Sequence, residues 1–259
     1  MAAPKVVDMS SPKPPTIEAL QDWIRESAAA IGARDEFTVK AAISDEFLLL
    51  FGPCAQAIRY AGAYTELQRA GYTREAAALG RAAMEHAVTA QWVYLVDGAL
   101  SRFRSSVMHS RKRFYTDLAE WLNIDEVRTG ALRLPSPAGK GMPTFSGQGG
   151  IMSDLDQENF LRTGYKVLSQ TVHVTHSTVH GFLGLDDKNA YSLKYETGDY
   201  YEYQTHYVVA ISCMLARWLI GKLTEDGPAL TYLDRKSDEL YLPCSLEHGI
   251  PAHKLRVTG

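Results

Sequence analysis

One stretch, TREAAALGRAAMEHAVTAQWVYLVD at positions 73–97, constrains the fold more than any other part of the sequence. Thr73 can cap a helix, Glu75 suits its first turn, and the Ala-rich interior has high helix propensity. Gly98 follows as a stop signal. Since this helix has almost no polar face, we expect it to pack among other helices rather than to lie on the surface.

Arg81 and Glu85 lie within the apolar stripe of this helix. An unpaired buried charge costs several kcal/mol, so each must pair with the other, with a neighbouring helix or with a ligand. Two interpretations stay open. The pair is either a structural ion pair that fixes helix register, or a site in which Arg81 binds a phosphate or a developing oxyanion and Glu85 orients it. At about 100° per residue, the apolar members of the stripe are Ala77, Met84, Val88, Trp92 and Leu95.

Helical patterns flank this segment, and no long alternating pattern typical of strands occurs. We therefore predict an all-α fold, a bundle of about six helices within a domain at 16–223. A disordered leader is predicted at 1–15 and an irregular C-terminal tail at 224–259. The predicted helices cover 16–31, 35–70 with a kink or split at Gly52-Pro53, 73–97, 99–122, 153–183 and 202–223.

Between the helices, the segment 124–152 is rich in Gly, Pro and Ser, as in LPSPAGKGMPTFSGQGG. Long structureless loops are uncommon in compact domains and are usually either functional or disordered. We predict a mobile loop here.

Global composition limits the classes of partner. The formal net charge of −3 gives no overall signal for binding nucleic acid or a membrane. The three cysteines are widely spaced, which suits a reducing cytoplasmic location and a chain without a disulfide framework.

The most apolar run, 207–220, contains Arg217 and is shorter than the roughly 20 apolar residues that cross a bilayer. We expect no membrane span here but a buried bundle helix, whose Arg217 needs a partner.

The most basic segment of the chain lies on the helix predicted at 99–122. Such groups can neutralise RNA phosphates, although a solvated helix face is the alternative interpretation. The candidate phosphate contacts are Arg102, Arg111 and Arg113.

The predicted helix at 153–183 carries the densest polar chemistry in the sequence. If it is continuous, His173, His176 and His180 share one face with Tyr165 and Ser169 within an arc of about 80°. Histidines three and four residues apart can place two nitrogens on one transition-metal ion. The alternative is that these histidines belong to the solvated face of an amphipathic helix.

Arg81 and His86 stand in the order Arg-x4-His within GRAAMEH. This spacing resembles the HEPN superfamily of nucleotide-binding helical bundles, in which an Arg-x4-6-His motif near a dimer interface carries metal-independent RNA cleavage. The resemblance implies that Arg81 stabilises the phosphate and that His86 acts at the ribose hydroxyl or at the leaving group. It also implies a homodimer.

A second resemblance spans two helices. An Arg-x3-Glu motif at Arg81 and Glu85 is combined with a later Tyr-x2-Leu-Ser-x3-His motif that ends at His173. This combination is similar to a widespread bacterial helical family of unknown function. It implies that Arg81, Glu85, Ser169 and His173 form one cluster between two packed helices, and it implies no particular activity.

Three hypotheses about function follow. The first is a bacterial HEPN-like homodimer that cleaves RNA or a nucleotide by acid–base chemistry without a cofactor, in a toxin or phage-defence setting, with His86 or His173 as the acid–base group. The second is a bundle enzyme whose histidine cluster holds a transition metal. The third is a non-catalytic interaction protein in which Arg81 and Glu85 form a structural pair.

Overall fold

The computed structural model describes residues 13–134, 145, 147–155, 159–185, 190–193 and 201–256. Within this part of the chain, ten α-helices accompany one antiparallel sheet of two short strands, which confirms the predicted all-α bundle and exceeds the predicted number of helices. The elements are α1 (Ile17–Gly32), α2 (Ser44–Arg69), α3 (Thr73–Leu95), α4 (Ala99–Leu122), α5 (Asp125–Arg133), α6 (Gln148–Leu155), α7 (Phe160–Val172), α8 (His176–His180), β1 (Leu183–Leu185), β2 (Tyr191–Leu193), α9 (Glu202–Thr224) and α10 (Gly227–Leu240).

The core lies around α3 and α9, which pack against each other and are flanked by α1, α2 and α7. Two glycines set the close approach of helices in this core. A Cβ on Gly80 of α3 would lie 2.9 Å from Cγ2 of Val209, and a Cβ on Gly164 of α7 would lie 3.0 Å from Cγ2 of Val208. Both α3 and α7 therefore pack on α9 so closely that a larger residue at either glycine would require a neighbouring valine or a helix to move.

Two stretches, Ala41–Arg69 and Glu202–Thr224, are long and apolar enough to cross a membrane by length and composition. In the most apolar window of the second stretch, 78% of the residues are buried inside the protein, against 28% in the first. The burial of α9 confirms the predicted core helix at 207–220. Arg217 also has the partner that it requires, since its Nη1 donates to Oε1 of Glu26 at 2.8 Å.

The second helix differs from its prediction at its start and at Pro53. A short 3₁₀ helix, Ala41–Ile43, precedes α2, which begins at Ser44 rather than near residue 35. The helix continues through Pro53, so the predicted split is wrong. Proline removes only one backbone donor, and α2 is held on both sides of that position by packing against α1, α3 and α9.

The region 153–183, predicted as one helix, holds parts of three helices and a strand. α7 ends at Val172, and the backbone of His173 is extended, with φ −104° and ψ 161°. The β-branched residues Val174 and Thr175 follow, and such residues favour extended backbone. The helical spacing of apolar residues continues across positions 172–176. This spacing alone therefore could not reveal that the helix breaks there.

The predicted mobile loop at 124–152 contains α5 and the first residues of α6, while residues 135–144 lie outside the described part of the chain. α5 starts with Asp125 and Glu126 and ends at Arg133, a charge order that favours a helix. The leader predicted at 1–15 also lies outside the described residues, apart from residues 13–15.

The predicted irregular tail is partly helical, because α10 packs on α9. Residues 241–256 then run back over the end of α3, where the N–H of Asp97 donates to the carbonyl of Lys254 at 2.9 Å. Lys254 Nζ lies 2.7 Å from Oδ1 of Asp154, and Trp92 Nε1 donates to Oδ2 of the same carboxylate at 3.1 Å. The tail is therefore held on the bundle by polar contacts to Asp97, just after α3, and to Asp154 of α6.

Candidate functional site

Arg81 of α3 lies at the centre of a polar cluster between α3 and α7. Its Nε donates to Oε1 of Glu85 at 2.9 Å, its Nη1 to Nε2 of His173 at 2.8 Å, and its Nη2 to the hydroxyl oxygen of Tyr165 at 2.5 Å. The guanidinium also lies over the Tyr165 ring, 4.6 Å from its centroid. The structure thus joins the two helices that the paired motifs mark, through four of the marked positions.

The cluster lies at the rim of the core. The side chains of Arg81 and Glu85 are 16% and 26% exposed, and His173 is exposed. One part of the site is therefore shielded by α3 and α7, while its outer part is open to solvent. In such a setting a charged hydrogen bond is stronger than on the open surface, and a ligand can still reach it.

α7 is amphipathic, and this places Tyr165 and His173 on Arg81. Leu161 and Leu168 are buried on one side of α7, and Gly164 allows that side to lie against α9. Tyr165 is next to this buried side. His173 lies about two turns further along, immediately after the last residue of α7. The apolar packing of α7 therefore fixes the polar cluster.

The direction of the hydrogen bonds defines what the cluster presents to a ligand. A guanidinium can only donate, so Nε2 of His173 and the oxygen of Tyr165 are acceptors. In the neutral imidazole the proton of His173 then lies on Nδ1, and the hydroxyl proton of Tyr165 is available to another partner. Three of the five N–H groups of Arg81 are used by these bonds. What remains is a set of donors, which suits an anion.

Ser169 belongs to this region but has a different contact. Its hydroxyl donates to the backbone carbonyl of Tyr165 at 2.6 Å, one turn earlier in the same helix. This bond is of the kind that polar residues commonly form within helices. Of the four residues expected in the cluster, Arg81, Glu85 and His173 are joined by hydrogen bonds, whereas the Ser169 side chain reaches the cluster only through the backbone of Tyr165.

His86 makes its described contacts on another side of α3. Its Nδ1 donates to the carbonyl of Ala82 at 2.8 Å, and its ring lies 5.4 Å from that of Tyr60 on α2. Arg81 instead contacts α7. Residues five apart on a helix point about 140° from each other, so Arg81 and His86 are on different faces of α3.

The three histidines proposed as metal ligands do not share one helix face, because α7 ends before His173 and α8 begins at His176. The rings of His176 and His180 are 4.5 Å apart, while His173 bonds to Arg81. Among the described residues no group of three or more His, Cys, Asp or Glu side chains has the geometry of a metal site. The expected shared face of the three histidines therefore does not form, since it required an unbroken helix.

The predicted phosphate contacts on α4 lie outside the Arg81 cluster. Arg102 donates to the carbonyl of Asp97 at 3.2 Å and lies over the ring of Trp92. Arg113 pairs with Asp117 at 3.7 Å, and Arg111 is exposed. None of these described contacts joins the α3–α7 cluster, so α4 is a separate surface.

Tyr165 contacts Arg81 but is not among the expected catalytic or phosphate-binding residues. The sequence marks it through the Tyr-x2-Leu-Ser-x3-His motif and through the helix face expected to hold Ser169 and the three histidines. Comparison of the chain with family models, with curated proteins and with solved structures gives no match. The geometry of the Arg81 cluster is therefore the feature that bears on function.

Proposed function

We propose that this protein binds a phosphate group of RNA or of a nucleotide at Arg81 and cleaves RNA by acid–base chemistry that needs no metal. The observation that carries the proposal is the arrangement of donors around Arg81: its own free N–H groups, the Tyr165 hydroxyl and the His173 Nδ1–H. A planar guanidinium surrounded by further donors binds phosphate oxygens well, because it can form two parallel bonds to one phosphate.

Phosphate binding also gives His173 a catalytic role. A phosphate oxygen competes for the Nη1–H of Arg81 that is now donated to His173 Nε2. When the phosphate takes this donor, Nε2 is released with its lone pair and can act as a base. Glu85 keeps the guanidinium in place throughout, since it holds Nε rather than the two outer nitrogens.

In the proposed step, the ribose 2′-hydroxyl gives its proton to Nε2 of His173 while its oxygen attacks phosphorus. The bond from phosphorus to the 5′-oxygen breaks, and the departing oxygen takes a proton from water. Arg81 and Tyr165 stabilise the negative charge that develops on the phosphate oxygens. His173 then returns its proton to solvent, so that no redox partner or cofactor is consumed.

Of the two histidines that the sequence offers, the geometry favours His173 over His86 because only His173 bonds to Arg81.

We place this activity in the bacterial cytoplasm, in a toxin or phage-defence setting. The three free cysteines are compatible with that compartment. The competing function is a non-catalytic bundle in which Arg81 only joins α3 to α7.

The test is cleavage of a single-stranded RNA in the presence of a chelator. We expect cleavage by the parent protein, loss of cleavage in Arg81→Met and His173→Gln, and unchanged cleavage in His180→Gln. The last variant is a matched control, since His180 is also exposed and lies outside the Arg81 cluster. Equal cleavage by the parent and by folded Arg81→Met protein would refute the proposal, as would activity that appears only with added metal.

A further inference from the structure

α4 is far less buried than the other long helices. Over its 24 residues only Ala99 and Ala119 are buried, whereas α3 and α9 bury most of their residues. Its main neighbour is α5, which folds back along it. The hairpin of α4 and α5 therefore extends from the bundle as an arm.

The apolar stripe of α4 starts in the core and continues onto this arm. At its beginning, Leu100 and Phe103 pack against the core cluster. Further along, Val107, Phe114 and Trp121 follow at intervals of seven residues on the same side, and the last two are 59% and 82% exposed. From Val107 to Trp121 the stripe is about 21 Å long.

α5 leaves this stripe uncovered because it packs on a different side of α4. Lys112 Nζ lies 3.5 Å from the carbonyl of Leu134, and Ala119 is buried on the same side as Lys112. On a helical wheel these two positions lie more than about 100° from Val107, Phe114 and Trp121. A large aromatic surface of this kind usually marks a contact with another molecule.

The charges of the arm identify the partner. Residues 101–113 contain Arg102, Arg104, Arg111, Lys112 and Arg113 and no acidic residue, whereas residues 117–126 contain Asp117, Glu120, Asp125 and Glu126 and no basic residue. Two copies of the arm that run antiparallel place the basic half of each against the acidic half of the other. The arm is therefore complementary to itself about a two-fold axis near Phe114, as an isologous interface requires.

We infer that the exposed face of α4 is the interface of a homodimer in which two α4 arms pack antiparallel. Val107, Phe114, Leu118 and Trp121 form the apolar contact, and the segregated charges select the antiparallel orientation. RNA fits this face less well than a second copy does, since Trp121 lies in the acidic half, where phosphates are repelled.

The experiment is sedimentation equilibrium of the full chain across micromolar concentrations. We expect a dimer for the parent protein and at least about a tenfold weaker dimer for Phe114→Glu and Trp121→Glu, since a charge in an apolar contact costs more than about 1.4 kcal/mol. Leu48→Glu is the matched control: Leu48 is 75% exposed on α2, and its variant remains dimeric. Circular dichroism checks that all three variants keep their helical content.

A charge exchange tests the orientation. Arg111→Glu/Arg113→Glu reverses two charges of the basic half, and Asp117→Lys/Glu120→Lys reverses two charges of the acidic half, so each variant alone dimerises weakly. Mixing the two restores a dimer containing one chain of each kind. A monomeric parent protein at about 100 µM would overturn the inference. So would a dimer that Phe114→Glu and Trp121→Glu leave intact, or arm variants whose only defect is in RNA binding.

Discussion

Arg81 and His173 are 92 positions apart in the chain, yet Nη1 of Arg81 lies 2.8 Å from Nε2 of His173. Because arginine cannot accept a hydrogen bond, this contact fixes the tautomer of the neutral histidine and directs its Nδ1–H away from Arg81. An anion that takes the Nη1–H now donated to Nε2 therefore competes with His173.

Replacing His173 with glutamine separates binding from proton transfer. The side-chain oxygen of glutamine can accept from Arg81, whereas the amide cannot take up a proton at neutral pH. We expect kcat for RNA cleavage to fall by at least about a hundredfold, with KM changed by less than about threefold. A variant in which KM rises and kcat stays constant would contradict the proposed role and indicate that His173 only binds.

Gly80→Ala tests the close packing that positions the cluster. The new methyl group would lie 2.9 Å from Val209 and 3.5 Å from Leu168, so α3 and α9 must separate or Val209 must move. We expect the free energy of unfolding to fall by about 1–3 kcal/mol, despite the better helix propensity of alanine.

Gly130→Ala is the control for this substitution. Gly130 is also inside a helix, α5, and apart from its chain neighbours and the helix's own backbone no atom lies within 4 Å of the added methyl group. We expect this variant to be more stable by about 0.5–1 kcal/mol in urea unfolding. If both alanine variants shift stability in the same direction by the same amount, close packing at Gly80 is not required.

Asp154 should make stability depend on acid pH. Burial tends to raise its pKa, but hydrogen bonds from Lys254 and Trp92, together with the charges of Lys254 and Arg102, outweigh burial and lower it. The folded protein therefore favours the carboxylate. This stabilisation is fully present above the ordinary aspartate pKa of about 3.9 and is lost as the pH falls through the lower folded value.

Asp154→Asn removes that pH-dependent contribution. We expect the melting temperature of the variant to be lower than that of the parent at neutral pH, and the difference to shrink as the pH falls below about 4. Thermal unfolding followed by circular dichroism at several pH values measures it. A difference that is the same at all pH values would show that the carboxylate charge contributes nothing.

The cysteines report on the fold independently of function. Cys54 and Cys213 are fully buried, and burial raises the pKa of both thiols, that of Cys213 to about 12. Cys244 is only half-buried, although burial raises the pKa of its thiol as well. With a disulfide reagent we expect one slowly reacting thiol in the native protein, lost in Cys244→Ser, and three in denaturant. Rapid native labelling of Cys54 or Cys213 would contradict the packing of α2 and α9.

The sequence was sufficient to place Arg81 and Glu85 together, because two charges within an apolar helical stripe must find partners. It was also sufficient for the central helices, whose bounds agree with the prediction within a few residues. It was not sufficient for the break at His173, where the helical period of the side chains continues although the backbone does not. Because of that single break, the three histidines share no helix face, and His173 contacts Arg81 of α3.

Other features depended on contacts that no local pattern contains. Pro53 remains within α2 because neighbouring helices hold both halves of that helix. The helix α5 was not predicted because the region around it is rich in Gly and Pro, although its terminal charges favour a helix. The sequence analysis did not single out the aromatic residues of α4, and only the structure shows that Phe114 and Trp121 lie outside the core.

The central claim is that a phosphate group binds to Arg81. The most direct measurement is calorimetric titration of the full chain with a single-stranded 2′-O-methyl RNA, which retains the phosphates but cannot be cleaved. We expect Arg81→Met to weaken binding by at least about tenfold, the equivalent of one lost charged hydrogen bond. Arg69→Met, which removes an exposed arginine paired with Glu66 on α2, should change binding by less than about twofold. Folded Arg81→Met protein that binds the RNA as tightly as the parent would contradict the account.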